Sequence, residues 1–596
     1  MDMATAVRGR NRAKLDGHAV FPRRGGTVPR APTALASALA LLMLTGHSVR
    51  AEDPTTTQPP DYPVGTQTDT RSKSAPSARG RRVPARTQNQ PEDDDLKITG
   101  KPAFQLKPSI SLRETYTDNV TLLPSGAARS DFVTEVAPDL SASYIGPNAI
   151  LWGNIGVSNY SYARDGKGGR TALRVNTNLK SQPVEHHLFI DANATVSEQS
   201  ISSFGAQAPD SASLTGNRTE VRTFTLAPRL QGKIGSGAAW NLHASNTASS
   251  TDSAVVQRRN VSSWDGLLTT TGGRLGVGIG FIGNSTRISS ASGHGADQVF
   301  GVLNFKPDVS LSLALRAGQS SDTYGTNRRS RASYGGDVVW RPQPSTDVRA
   351  SYDRLSYGPR VTLDLNHRRP LSAFNIHYSE DVITSFTAPS QFDVPVSTVE
   401  SLTSAGLSFL NAQNVVITPA LTNSVRSAVT QYVQENGLPD TILTPLTTSG
   451  SGIYRSKRLD ATGAFLGARN ALTLKMFRAR RTSAGSSDAV LNILDFLPVS
   501  LGAIDTASTI DQYGGNLSWQ HTLTSLSNLT GRYTLTRSES TGATNVRSVT
   551  RVMDLTLHTR LSPHIAAELA LRRATQDATT SDYTENALIG RVSLQY

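Results

Sequence analysis

The chain has no cysteine. That excludes disulfides, thiolate metal sites, thiol nucleophiles and the lipidated cysteine of a lipoprotein. Long apolar runs are missing too: after Ala51 nothing approaches the roughly 20 residues that a membrane helix requires. Hydrophobic residues occupy only 37% of 596 positions and aromatics 6%, where a soluble core of that size would be richer in Leu, Ile and Val. A compact basic run is also absent, which argues against nucleic acid as a partner. What the sequence has instead is 48 glycines among abundant Ser, Thr and Asn. That composition suits a sheet with a single apolar face.

From Ala34 to Leu44 the sequence reads ALASALALLML, preceded by Arg23, Arg24 and Arg30 and followed by Val49-Arg50-Ala51. A positive flank, a short apolar centre and a small-residue exit predict a secretory signal peptide over residues 1–51. A helix of that length spans about 16 Å, too short to anchor in a hydrocarbon core of roughly 30 Å. Cleavage there removes eight Arg/Lys and two Asp, so +6 of the formal +13 leaves and about +7 remains. Residues 52–100 follow with seven prolines, mixed charge and few apolar side chains. Such a segment cannot offset its ordering entropy by burial, and it reads as a disordered periplasmic linker.

From residue 101 to Tyr596 the dominant pattern is apolar residues at every second position, the mark of strands with one apolar face. Leu173, Val175, Thr177 and Leu179 oppose Arg174, Asn176, Asn178 and Lys180. Leu188, Ile190, Ala192, Ala194 and Val196 repeat the pattern, with Phe189 as the exception on the polar face. Periodic segments run to ten or fifteen residues, longer than the five or six of a soluble sandwich and long enough to cross a bilayer at a tilt. Tight links such as Gly146-Pro147, Gly235-Ser236-Gly237 and Ser562-Pro563 alternate with long polar ones: Asn119–Ser130, Ser200–Asn217, Gln319–Ser330 and Ser483–Thr509. The expected fold is therefore all-β: a transmembrane antiparallel up-and-down barrel of about 16–22 strands, with 22 preferred, in the outer membrane of a Gram-negative cell. Pro108, Pro138 and Pro228 sit awkwardly in it, as bulges or strand ends. Residues 383–452 break the alternation and are expected to form a cap or an inward constriction.

The last strand places Leu588, Gly590, Val592, Leu594 and Tyr596 on one face. This terminus resembles the recognition strand of proteins handed to the outer-membrane assembly machinery. Further stretches are similar to the outer-membrane proteins associated with the PEP-CTERM/exosortase system: Glu114 to Val120, Leu365 to Pro370, Tyr378 to Val382, Gly467 to Asn470 and Arg478 to Arg481. The resemblance implies a barrel working with exopolysaccharide export or assembly and with periplasmic export proteins. It supplies no catalytic residue and no cofactor.

Chemistry is otherwise sparse. His186 and His187 would point to opposite faces of a strand and so could not share a metal. Gly276, Gly278 and Gly280 alternate with apolar residues and lack the helix of a nucleotide-binding loop, so they read as a smooth inner wall against which a loop or plug packs. Gly293 to Asp297 reads as an outer loop presenting His294, the one candidate for an outer-membrane hydrolase, although no serine nucleophile motif stands near it. Arg368, Arg369, Arg469, Arg478, Arg480 and Arg481 are the candidate polyanion contacts, provided they face a pore rather than lipid headgroups. Alongside exopolysaccharide export, a general diffusion porin stays open as a reading.

Overall fold

The computed structural model describes residues 103–164, 169–252, 258–270, 272–289, 291–324, 327–369, 371–384, 453–483, 509–541, 545–579 and 581–596. The expected signal peptide, the linker of residues 52–100 and nearly all of residues 383–452 lie outside that set. Among the described residues 22 strands form one sheet. In chain order they are β1 (Ala103–Thr117), β2 (Asp131–Ile145), β3 (Ala149–Tyr162), β4 (Arg170–Val184), β5 (Leu188–Ser200), β6 (Arg218–Ile234), β7 (Ala238–Thr251) and β8 (Arg259–Thr270). Next come β9 (Leu275–Ile288), β10 (Ala291–Phe305), β11 (Leu311–Tyr324), β12 (Asn327–Gln343), β13 (Thr346–Leu355), β14 (Gly358–Arg369) and β15 (Ser372–Thr384). The ring is completed by β16 (Ile453–Leu466), β17 (Asn470–Ser483), β18 (Thr509–Thr522), β19 (Ser527–Thr541), β20 (Arg547–Arg560), β21 (Ile565–Ala578) and β22 (Tyr583–Gln595).

Each strand pairs antiparallel with the next, and β22 returns to β1 from Ser109↔Gln595 to Thr117↔Ala587. The sheet thus closes and leaves no free edge, the condition for spanning lipid. Outward positions carry the apolar side chains: Leu112, Leu315, Leu571 and Val592 are each about half exposed or more. Inward neighbours such as Ser111, Thr115, Glu135 and Arg572 are polar and buried. This inversion of a soluble core is that of a transmembrane β-barrel. Outward aromatics occur near both rims, Phe104, Trp340 and Trp519 on one side and Tyr116, Tyr352 and Tyr513 on the other, with Phe224, Trp264 and Phe281 between them. Phe104 and Tyr116 are about 40 Å apart along β1, or about 30 Å across a membrane at a tilt near 40°.

Ala103 and Gln595 share a rim with the tight turns, while the other rim carries the long connections. Gln319–Ser330 is a correction: its described residues extend β11 and β12, paired as far as Tyr324↔Asn327. Gly293 to Asp297 likewise belongs to β10 rather than to a loop. Pro108, Pro138 and Pro228 create no register shift, unlike Pro183 and Pro342, which sit at irregularities near the tight turns. Pro138 keeps Ile110 as its partner, and the β2–β3 ladder simply skips from Val136↔Asn159 to Asp139↔Gly156. Pro228 repeats this, paired to Ile190 while β6–β7 skips from Leu226↔Asn246 to Arg229↔His243. Pro108 lies where β22 runs out, its carbonyl accepting the Tyr596 N–H at 3.0 Å.

Candidate functional site

The residues joining β5 to β6, Ile201 to Asn217, do not stand above the barrel. They turn into its mouth. Ser202 and Asn217 knot the base of this segment, Asn217 Oδ1 accepting the Ser202 N–H at 2.8 Å. From there Phe204, almost fully buried, packs on Ile510 of β18 and on Val546 just before β20. Ser203 Oγ accepts from Gln512 Nε2 of β18 at 2.8 Å. The Gln207 N–H donates to Gln576 Oε1 at 2.9 Å, and its carbonyl accepts the Tyr583 hydroxyl at 2.5 Å. Further on, Ala212 packs with Val120, Val133 and Tyr160, and the Leu214 N–H reaches the Val120 carbonyl at 2.7 Å.

These contacts fix the shape of the mouth. By the shorter way round, β5 and β18 are nine strands apart. In a circular 22-strand ring that arc spans about 40 Å. Phe204 follows Ser200, the last residue of β5, by so few residues that it cannot lie more than about 14 Å away. The ring is therefore pinched at this level, with the β5–β6 connection wedged across it.

At the centre of the wedge stands Asp210. Its Oδ2 accepts from Arg113 Nη2 of β1 and from Arg572 Nη1 of β21, each at 2.6 Å, while Oδ1 accepts the Ala212 N–H at 2.9 Å. The two arginines are held in turn by carboxylates of the wall. Arg113 reaches Glu135 at 3.4 Å, and Arg572 reaches Glu585 at 2.8 Å. Glu135 also accepts the Tyr160 hydroxyl, and Glu585 accepts from Thr117. Burial alone would raise the Asp210 pKa; the fields of Arg572 and Arg113 outweigh it and hold the carboxyl well below its usual range. Arg218 closes the base through the Asp210 carbonyl at 3.1 Å and the Ser213 carbonyl, and Arg170 holds the Ser211 carbonyl.

Elsewhere the inner wall carries charge in pairs. Arg316 bridges Asp337 and Asp353, and Arg360 takes the other oxygen of Asp353. His377 meets Asp364 at 2.6 Å, His243 meets Asp265 at 3.0 Å, and Arg341 and Arg349 share Asp347. Phe189, the exception to the alternation, lies under the Arg229 guanidinium at 4.7 Å. Gly276, Gly278 and Gly280 do line the inner wall. What packs on them is a neighbouring side chain rather than a loop: a Cβ at Gly280 would meet the Phe300 ring at 2.7 Å.

The six arginines singled out in the sequence are not brought together. Arg368 and Arg369 end β14 and Arg469 lies in the β16–β17 turn, all at the tight-turn rim. Arg478, Arg480 and Arg481 lie toward the opposite rim on β17. Alternation puts Arg478 and Arg480 on the outward face with Leu474 and Met476, where Arg480 binds Asp511 at 2.7 Å. Arg368 and Arg481 fall on inward faces. His186 and His187 sit in the β4–β5 turn, His186 with φ of 62°, and among the described residues no group of side chains could hold a metal ion. His294 faces inward, edge-on to Tyr357 at 6.3 Å. Sequence reasoning passed over Asp210, Arg113 and Arg572; the signal available was Phe204 and Leu214, apolar residues inside a polar link.

No protein-family model and no curated protein matches the chain. Among solved structures it is similar to the outer membrane protein OpdK from Pseudomonas aeruginosa, at 8% identity and TM-score 0.32 over 83% of this chain and 99% of that one. It is also similar to the FrpB iron transporter from Neisseria meningitidis, at 9% identity and TM-score 0.40 over 82% of each chain. The siderophore receptor PirA from Pseudomonas aeruginosa is a third, at 10% identity and TM-score 0.35 over 84% of this chain and 81% of that one. At such low identity nothing these proteins carry is transferred to this chain.

Proposed function

We propose that the protein is a gated transport barrel of the Gram-negative outer membrane, serving export or surface assembly of an acidic exopolysaccharide. The observation that carries the gate is the β5–β6 connection wedged across the pinched mouth and fastened by Asp210 to β1 and β21. The resemblance to the PEP-CTERM/exosortase-associated proteins supports the polymer, as do Arg368 and Arg481, inward cations near opposite ends of the channel, as entry and exit contacts. Arg369, Arg469, Arg478 and Arg480 would then contact the polymer or headgroups at the rims. In this reading β22 and Tyr596 address the chain to the assembly machinery, the linker of residues 52–100 meets periplasmic export proteins, and the reaction is passage rather than catalysis.

The test replaces residues 203–215 with a short Gly-Ser link and records conductance in planar bilayers. The gate reading expects small, intermittent currents from the native chain and a steady, several-fold larger current from the shortened one. Equal currents would remove the gate. A general diffusion porin is the second reading, favoured by the paired charges of the inner wall, which leave a weak net field. An acidic polyuronate that blocks the open variant at concentrations where a neutral dextran of equal size does not supports the polymer reading. Equal block by both favours the porin.

A further inference from the structure

The long-connection rim has a notch. Past Tyr334↔Arg354, its last pair with β13 toward this rim, β12 continues to Asn327 held by β11 alone. On the other flank β15 runs past Val361↔Glu380 to Thr384, held by β16. Between them the β13–β14 hairpin stops short at Ser356 and Tyr357, and its turn is drawn inward. The Ser356 N–H donates to Ser320 Oγ at 2.6 Å, and the Tyr357 hydroxyl donates to Asp381 Oδ1 at 3.1 Å.

This leaves a cavity of about 520 Å³ lined by Arg329, Arg331, Arg354 and Arg455. Arg455 is laid against the turn, its Nη2 donating to the Pro359 carbonyl at 3.3 Å. Gly358 makes room for it: at φ of 131°, a Cβ there would stand 2.7 Å from Arg455 Nη1. Arg455 has Glu380 as its carboxylate, a partner shared with Lys457. Among the described residues Arg329, Arg331 and Arg354 make no ion pair. Four arginines therefore line one space, where they outnumber the carboxylates at hand: Glu380 on Arg455, Asp322 across the ladder from Arg329 and Asp381 on Tyr357. An anion stabilises such an arrangement.

We infer that this notch binds a phosphorylated saccharide. Guanidinium forks match phosphate oxygens two at a time and hold them in a fixed plane. The volume falls in the range of small-molecule sites and exceeds that of a lone phosphate, leaving space for a sugar ring. Its level fits as well. Tyr334, level with Arg354, and Tyr352, two residues below it, project outward, so the notch opens where the headgroups of that leaflet begin. The phosphosugar can come from a leaflet glycolipid or from a soluble saccharide; the recognition chemistry is the same, and it holds whatever the pore passes.

The test uses the full chain in detergent, with glucose 1-phosphate as the soluble probe, a phosphorylated acyl-glucosamine disaccharide as the lipid probe, and glucose and a neutral acyl-glucoside as controls. Calorimetry and native mass spectrometry read binding. Either phosphorylated probe is expected to bind at least tenfold tighter than its neutral control, with affinity falling as salt rises. The R331Q/R354Q double variant should lose at least tenfold, while R354K loses less. Tight binding of the lipid probe alone supports the site and assigns its source to the leaflet; tight binding of the soluble probe alone supports it and assigns a free saccharide. Failure of both probes overturns the inference. So does undiminished binding by R331Q/R354Q, or an equal loss in the remote R341Q/R349Q control, each variant being checked for the heat-modifiable gel mobility of a folded barrel.

Discussion

Asp210 is a carboxylate in a place where burial penalises charge, and two guanidinium groups reverse the balance. The sign of its pH dependence follows. A carboxyl whose folded pKa is depressed contributes its stabilisation above the unfolded value, near 3.9, and loses it only as pH falls through the lower folded value. The wedge should thus stay fastened from about pH 8 down to about pH 4, and native conductance should stay flat over that window. A current that rises steeply between pH 6 and pH 4 would contradict the anchoring by Asp210. Removing the carboxylate leaves Arg113 and Arg572 facing each other, a loss on the order of 3–5 kcal/mol for a broken buried pair. Asp210→Ala is therefore expected to raise open probability in planar bilayers without abolishing the folded barrel. None of this was legible beforehand, for a physical reason. Asp210 and its partners lie 97 and 362 residues apart. Periodicity reports which face a strand residue takes, and says nothing of where a connection lands across the ring. The same limit applies to the six arginines, which look alike along the chain while strand geometry sends them to opposite rims.

At the scale of the strand, period two was sufficient for most of the wall. Leu173 to Leu179 and Ile565 to Leu571 face outward as their alternation requires, because one apolar face meeting lipid leaves a single workable register. The errors fall where composition and geometry part. Gln319–Ser330 looks like a loop from its Ser, Asp, Asn and Arg content, yet it is ladder up to Tyr324↔Asn327. Strands that continue beyond the bilayer need no apolar face, so their polar ends mimic connections. Proline in a closed sheet is expected at bulges or strand ends, yet Pro138 and Pro228 remove ladder pairs from within closed strands. With no N–H at position 138, the facing backbone of β3 loses a hydrogen bond at a depth where water competes poorly. Pro138→Val would restore it. The gain, larger than the ~1 kcal/mol typical in water, exceeds the roughly 0.4–1 kcal/mol lost when the unfolded chain becomes less stiff. Urea unfolding in lipid vesicles should show net stabilisation of about 1 kcal/mol; a midpoint that falls would mean that β3 already satisfies that carbonyl in another way.

The whole molecule rests on one seam. Every other strand pair joins neighbours in sequence, whereas β1 and β22 are brought together only when the ring closes. Closure explains how a chain without disulfides and with few apolar residues can be stable in a membrane: each backbone group finds its partner around the ring, and lipid supplies the solvent for the outer face. The absence of native cysteine makes the seam directly measurable. Ser111 and Ser593 face each other across it, and Arg591 Nη2 reaches Ser111 Oγ at 3.5 Å on the same inward face. The Pro108 carbonyl bonds toward β22, which places Ser111 and Ser593 at a non-hydrogen-bonded pair with Cα atoms about 4.5 Å apart, inside the span a disulfide tolerates. The double variant S111C/S593C should therefore oxidise within one chain once folded in lipid. After boiling without reductant it should migrate on a gel as a closed loop, distinct from the linear chain. S111C/S548C, which places the second thiol on β20 two strands beyond β22, should stay reduced. Rapid cross-linking of the seam pair before membrane insertion would show that the ring closes in solution, and no cross-linking after insertion would show that β1 and β22 do not meet.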